Sequence, residues 1–254
     1  MDGKKKMTNI DEILKNFPNY ETLAEQTGIF GKAKNWYEQI TGTERSYEID
    51  VLRDLQRVVD RAREKSQINK ELIKLDKHYN PKVVSRVKSL DSVYKKLAEG
   101  QITTKDLPLD DIIGYRLVCR FLDEALELRN ILDEELNKPP FKVTSVFPRD
   151  ENGKWVNKEP YSGYRSYDYA LLYSRPEIGV ELEAELQLRT ILQHAWAEVS
   201  HDTFYKNSEL NSLPKEIQET LNKQMHTLSD ILELTDKRFV LLRKSATEKK
   251  TTPT

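Results

Sequence analysis

The chain has 254 residues, 37% hydrophobic and 33% charged, with a formal net charge of −1. Roughly 70–75% of the extended-chain surface of such a chain can be buried, so the composition suits an ordered, water-facing protein rather than a disordered one. The near-neutral balance does not advertise a general nucleic-acid binder: any polyanion has to meet a local cluster of Lys and Arg. No run of eighteen apolar residues occurs, and the start MDGKKKMTNIDEI has no apolar segment after its lysines. Neither a membrane span nor a secretory signal is expected, and the expected location is cytoplasmic.

Apolar residues recur at helical spacing from Asn9 to about Gln26 and from Tyr47 to about Leu75. The second run puts Val51, Leu55, Val58 and Val59 near one side among many charges, the pattern of an amphipathic helix. A strand or turn around Pro81 to Lys88 leads into a helix opening at Ser89 or Asp91, either of which can cap free backbone N–H groups. The segment from Ile112 to Phe121 has the profile of a buried strand and contains Cys119, the single cysteine, which rules out an intrachain disulfide and reads as a small buried side chain.

Asp123 to about Leu136 reads as helix, Phe141 to Phe147 as strand and Asp150 to Gly163 as loop. Strands are expected next at about Ser166 to Tyr173 and Val180 to Arg189, then a helix through His201. Interleaved strands and helices predict one α/β sheet, and the Pro176 and Gly179 turn favours antiparallel or mixed pairing. After Pro214 a long helix carries Ile217, Leu221, Met225, Leu228 and Leu232 as a stripe that has to pack on the body or on another subunit. Intramolecular packing is the favoured reading, and the tail from Arg243 to Thr254 is expected to fray.

The most informative segment is Glu181 to Arg189. In an extended conformation Glu181, Glu183, Glu185, Gln187 and Arg189 share one face, while Leu182, Ala184, Leu186 and Leu188 face the core. A half-exposed strand with a charged outside has the same pattern. Crowded carboxylates repel, however, and a bound cation would offset that cost.

Arg86 to Lys96 concentrates four long cations beside Ser89 and Ser92. Arg86 and Lys88 share a face of an extended segment, and Ser92 and Lys96 stack four apart on a helix, which suits a grip on a triphosphate as well as an ordinary solvated surface. Asp110 and Asp111 precede the buried strand, with Arg116 inside it. They can simply end the hydrophobic segment, or one of them can join Glu185 as an oxygen ligand for Mg²⁺; strand parity alone leaves the choice between them open.

Tyr164, after Gly163 and before Arg165, is either core cover or a stacking platform for a base. His194, Glu198 and His201 fall on one helical face without the HExxH spacing of zinc enzymes. They read as outer groups that fix the carboxylate and Arg189 by hydrogen bonds.

From about Tyr79 to Lys206, the blocks RVKSLDSVYKK, DDIIGYR, YSGYRSYDY, ELQLRT and HAWAEVSHDTFYK occur in the order of the synthetase domain of the RelA/SpoT family, which the chain resembles. The resemblance implies a nucleotidyltransferase-like mixed β-sheet flanked by helices, with a helical extension at 1–78, a synthetase core at 79–206, and a C-terminal helix and tail at 207–254. It implies pyrophosphate transfer from ATP to the 3′-hydroxyl of GDP or GTP, with Mg²⁺ as cofactor. In that family Arg86, Lys88 and Lys96 match contacts to the ATP phosphates, Asp111 and Glu185 the magnesium and catalytic carboxylates, and Tyr164 the residue stacked on the acceptor guanine. Ser92, Arg116, Gln187 and Arg189 join this nucleotide-binding set.

The chain departs from the family pattern at Ser162, usually asparagine, at Asp168, usually histidine, and at Pro160, usually lysine; Lys154 and Lys158 lie near enough to compensate. The HAWAE-like block also resembles a toxic branch whose members pyrophosphorylate the 3′ end of tRNA. That makes uncharged tRNA and a neutralising antitoxin the alternative partners. Lys4, Lys5, Lys6, Arg61, Arg63, Lys237, Arg238, Arg243 and Lys244 are the candidate basic track for tRNA. A nucleotide-sensing module without turnover is the non-enzymatic alternative, and the terminal helices are the expected place for any homo-oligomer contact.

Overall fold

The computed structural model describes residues 38, 47–89, 91–94, 112–147, 164–176, 180–201, 203, 210 and 213–248. In chain order these form α1 (Tyr47–Lys65), α2 (Gln67–Leu75), β1 (Lys82–Val87), β2 (Ile113–Cys119), α3 (Leu122–Glu135), β3 (Phe141–Phe147), β4 (Tyr167–Arg175), β5 (Val180–Thr190), α4 (Ile191–Ser200) and α5 (Lys215–Glu248). The helix expected at Asn9 to Gln26 lies outside the described residues.

The sheet is mixed and runs in the order β1-β2-β5-β4-β3. Among the described strands only β2 and β5 pair in parallel; β1 with β2, β4 with β5 and β3 with β4 are antiparallel. Alternation along the strands sends Ile113, Tyr115 and Leu117 of β2, Leu182, Ala184, Leu186 and Leu188 of β5, and Tyr169, Leu171 and Tyr173 of β4 into one buried cluster. Val51, Leu55, Val58, Val59 and Ala62 of α1 and Ala125, Leu128 and Leu132 of α3 complete that cluster, so both helices cover the same face of the sheet. Cys119 is buried there, and burial pushes its thiol well above the ordinary range, as expected of an inert core side chain.

The run from Tyr47 to Leu75 is two helices rather than one. Ser66 breaks it in an extended conformation and caps α2 by accepting the Asn69 N–H at 2.9 Å. Glu127 of α3 then accepts the backbone N–H groups of Gln67 and Ile68, each at 3.0 Å, so a carboxylate sits at the positive end of α2.

The C-terminal helix also differs from expectation. It continues through Glu248, because Arg243 is buried and paired with Asp123 of α3 and Glu71 of α2 instead of lying in a frayed tail. The apolar stripe is only partly covered: Leu221, Met225 and Leu232 are half-buried while Leu228 is 50% and Ile217 46% exposed, and the fully buried residues are Ser229, Asp236 and Arg243. These three are spaced by seven residues and form one polar stripe facing the body. Ile231, Leu234, Leu241 and Leu242 remain exposed on other sides.

Candidate active site

The face of the sheet opposite α1 and α3 carries the polar residues. Residues paired directly across a ladder point to the same side, so the register builds rows across this face. Arg86 pairs with Gly114, Gly114 with Glu185, and Glu185 with Ala170. The next row runs Val84, Arg116, Gln187, Asp168. Two strand spacings separate Arg86 from Glu185, about 10 Å between backbones. Gly114 lies between them, and a Cβ there would meet Arg86 Cγ at 3.4 Å and Nε at 3.6 Å. The Arg86 side chain therefore leans across β2, on the side from which β5 presents Glu185.

In the second row Arg116 is held by three groups. Its Nε donates to Gln187 Oε1 at 2.9 Å, its Nη1 donates to Glu198 Oε1 at 2.6 Å, and His194 Nδ1 lies 3.3 Å from the same Nη1. Partial burial would raise the Glu198 carboxyl, but the hydrogen bond and charge of Arg116 leave it below its ordinary value. Burial and the Arg116 charge both lower His194, which favours the neutral imidazole at neutral pH.

His194 and Glu198 thus fix Arg116, not Arg189, because one turn of α4 overlooks β2 while Arg189 precedes that helix. His201 is exposed, and its backbone N–H closes the helix end on the Ala197 and Glu198 carbonyls. Among the described residues, no three His, Cys, Asp or Glu converge as a metal cage. Mg²⁺ asks for less, one or two carboxylates plus substrate phosphates, and Glu185 on this open face fits as one such oxygen donor.

A third cluster surrounds Tyr164. The Arg189 guanidinium stands 5.0 Å from the centre of its ring and donates to its hydroxyl. The hydroxyl in turn donates to Asp168 Oδ2 at 2.9 Å. Ser166 Oγ donates to Asp168 Oδ1 at 2.6 Å and accepts from Arg189 Nε at 3.2 Å. Burial first, then Asp168 and, least, Glu185 raise the Tyr164 hydroxyl, against the lowering charge of Arg189. Asp168, one of the departures from the pattern that the sequence resembles, is buried and engaged by Tyr164 and Ser166 with Arg189 beside them.

At the end of β1, the Lys88 N–H continues the β1–β2 pairing onto the Ile112 carbonyl at 2.8 Å. Ser89 caps the turn at 91–94, accepting the Ser92 N–H at 3.3 Å, and the two hydroxyls lie 2.9 Å apart. Lys96, Asp110 and Asp111 lie outside the described residues, as do Lys154, Lys158 and Pro160. Arg86, Arg116, Tyr164, Glu185, Gln187 and Arg189 are brought to one face.

Sequence reading missed Gly114 as the clearance for Arg86 and Ser166 as the link between Asp168 and Arg189. It also missed Thr190, which begins α4 with a reciprocal cap: Gln193 N–H donates to Thr190 Oγ1 at 3.1 Å, and Thr190 N–H to Gln193 Oε1 at 2.9 Å. The T-x-x-Q spacing was the available signal.

The model of the region found in RelA and SpoT proteins matches residues 85–210. The GTP pyrophosphokinase YwaC of Bacillus subtilis strain 168 is 28% identical over 169 residues, covering 63% of this chain and 72% of YwaC. The GTP pyrophosphokinase YjbM of the same strain is 27% identical over 154 residues, covering 59% of this chain and 68% of YjbM. In fold, the chain is similar to small alarmone synthetase 1 from Bacillus subtilis bound to its product pppGpp, with a TM-score of 0.55 and 21% identity over 84% of this chain and 99% of that one.

Proposed function

Because this chain belongs to the RelA/SpoT family, we propose that it moves the β,γ-pyrophosphate of ATP to the 3′-hydroxyl of GDP or GTP, giving a guanosine tetra- or pentaphosphate and AMP. The observation that carries this reading is the row in which Arg86 leans over Gly114 and Glu185 follows on the next strand, with Tyr164 and Arg189 on the same face. One side of the face offers a cation for phosphates, the middle a carboxylate, and the other an aromatic plane.

In the proposed reaction the acceptor's 3′-oxygen forms a bond to the β-phosphorus while the bond from that phosphorus to the oxygen bridging to the α-phosphate breaks. AMP leaves with the electron pair of that bond, and Glu185 takes the hydroxyl proton. Arg86, Lys88 and Lys96, with Ser92 nearby, hold the ATP phosphates; Arg can engage two oxygens at once and Lys acts as a point charge. Mg²⁺, held by Asp111 and Glu185, would supply charge stabilisation to the phosphate oxygens. Tyr164 presents its ring to the guanine, and Arg116, fixed by Gln187, His194 and Glu198, is an oriented cation above the middle of the sheet.

Free guanine nucleotide is preferred over tRNA as acceptor because the described members of the candidate basic track are dispersed or engaged. Arg61 pairs with Glu135 and Lys237 with Glu233, while Arg243 is buried between Asp123 and Glu71. Of Asp168 and Pro160, the two sequence reasons to consider a module without turnover, Pro160 lies outside the described residues and Asp168 is tied into the Tyr164 cluster and does not stand as an uncompensated charge in the cleft.

The test is to supply ATP labelled in its β-phosphate with GDP, GTP or deacylated tRNA in parallel. Label in the guanine nucleotide with stoichiometric AMP supports the proposal. Label confined to tRNA replaces the acceptor, and ATP binding with no AMP from any acceptor replaces the enzyme with a sensor.

A further inference from the structure

Beyond Arg243, the polar stripe of α5 meets the body at two points, and each of these lies immediately after a residue of the Tyr164 cluster. Arg165, next to Tyr164, donates Nε to Ser229 Oγ at 3.0 Å and extends its two terminal nitrogens to Asp230 and Glu233. Thr190, next to Arg189, donates its hydroxyl to Asp236 Oδ2 at 2.6 Å. Ser229, Glu233 and Asp236 stand at i, i+4 and i+7, one face of the helix. Tyr164 and Arg189 themselves touch through the hydroxyl and the ring. A closed ring results, running from α5 through Arg165, Tyr164, Arg189 and Thr190 back to α5. Trp196 of α4 adds a further tie by donating its indole N–H to the Met225 carbonyl at 3.1 Å.

We propose that α5 is a positioning clamp for the acceptor side of the cleft, with Arg165 and Asp236 as its two positioning residues. The proposal rests on the reading of Tyr164 as the acceptor's stacking platform. Its physical basis is the position of the ties. Tyr164 precedes the first ladder residue of β4, Tyr167, so sheet pairing does not hold its backbone. The side chain beside it, Arg165, directs all three of its described hydrogen bonds to α5 and none to the sheet. On the other side, Arg189 leaves β5 just as the chain turns into α4, and Thr190 holds that turn with one hydroxyl that both caps α4 and reaches Asp236.

With both ends anchored on one helix, the Tyr164 ring and the Arg189 guanidinium keep a fixed separation. A displacement of about 1 Å at such a pair is enough to lose substantial transition-state or acceptor binding. The ATP side has no such dependence: Arg86 and Gly114 belong to β1 and β2, which the ring does not include.

The clamp predicts a split that general destabilisation would not produce. In full-length protein, Arg165→Ala should raise the KM for the guanine nucleotide about tenfold and leave the KM for ATP within about twofold. Arg165→Lys, which keeps the charge and can satisfy one acceptor, should recover part of that loss. Asp236→Leu, at the opposite end of the ring, should reproduce the same split.

Hydrogen–deuterium exchange supplies a readout independent of turnover: Arg165→Ala should speed exchange at 164–168 and at 187–191 together, with β1 and β2 unchanged. An unaltered acceptor KM, an equal rise in both KM values, or exchange accelerated in α5 alone would overturn the clamp. If the wild type forms no AMP with any guanine nucleotide, the acceptor assignment fails, and the paired exchange response alone decides whether α5 clamps these two segments.

Discussion

Arg86 and Glu185 sit in one register row of the sheet, separated only by Gly114, over which the Arg86 side chain lies. Gly114→Ala should therefore act on Arg86 before it acts on the fold. A methyl group 3.4 Å from Arg86 Cγ is at van der Waals contact and can be accommodated by a small shift of that flexible side chain. The expected outcome is a several-fold higher KM for ATP with little change in thermal midpoint, and Gly114→Leu should enlarge it. A Gly114→Leu protein that binds ATP like the wild type would show that Arg86 does not need that path.

Tyr164 can be dissected by two substitutions. Tyr164→Phe keeps the ring and loses the hydroxyl that links Asp168 to Arg189, whereas Tyr164→Ala removes the ring as well. Base stacking contributes about 1–3 kcal/mol, so Ala should raise the acceptor KM by roughly one to two orders of magnitude and Phe by far less. Circular dichroism and a melt of the Ala variant check that the fold survives. Equal losses in both variants would assign the role to the hydroxyl network and not to stacking.

Asp236 gives the fold a pH dependence of known sign. Burial, with a smaller contribution from Glu233, raises its carboxyl from about 3.8 to about 6, against the lowering hydrogen bond from Thr190. A group whose folded pKa is raised contributes stability that is complete below its unfolded value and is lost as pH rises through the folded one. The affected window is thus about pH 4 to 6. Asp236→Asn removes this dependence while keeping an acceptor for Thr190. Denaturant unfolding at pH 4 and pH 8 should show the variant gaining on the wild type by on the order of 2–3 kcal/mol at the higher pH. Parallel stability profiles would mean that the Asp236 carboxyl titrates alike in the folded and the unfolded chain.

Gln193 tests the start of α4 without touching the cleft directly. Gln193→Ala loses half of the reciprocal cap with Thr190, and a cost of about 1 kcal/mol is expected for such a group, read as a lower denaturant midpoint at unchanged slope. A larger loss confined to acceptor binding would tie this cap to the Arg189 side of the cleft.

The strands were legible because their alternation is local: the charged and apolar residues from Glu181 to Arg189 divide between two faces as their parity requires. The break at Ser66 was not, because the apolar spacing carries on across it and the carboxylate at the start of α2 comes from Glu127, sixty residues away. The polar anchoring of the C-terminal helix, and its run past Arg243, were not legible for a related reason. Its apolar residues surround more than one side, and what fixes its orientation is polar: Arg165 to Ser229, Thr190 to Asp236, and Arg243 to Asp123 and Glu71. Each of these pairs is distant in sequence. Residue types and strand phase identified Arg86, Tyr164 and Glu185 as candidates, but only the side-chain hydrogen bonds of the folded chain show Arg116, and not Arg189, in the grip of His194 and Glu198.

The most direct measurement is AMP formation by Glu185→Gln in a single-turnover reaction with labelled ATP and saturating guanine nucleotide, with ATP binding measured separately. Glu185→Gln keeps the shape and removes both the proton acceptor and the charge, and the loss of a well-placed electrostatic group of this kind typically slows a reaction by roughly two to three orders of magnitude. The expected result is a rate lowered by that amount while the melting transition is retained. Turnover equal to that of the wild type would remove Glu185 from the reaction and contradict the assignment of this sheet face as the catalytic one.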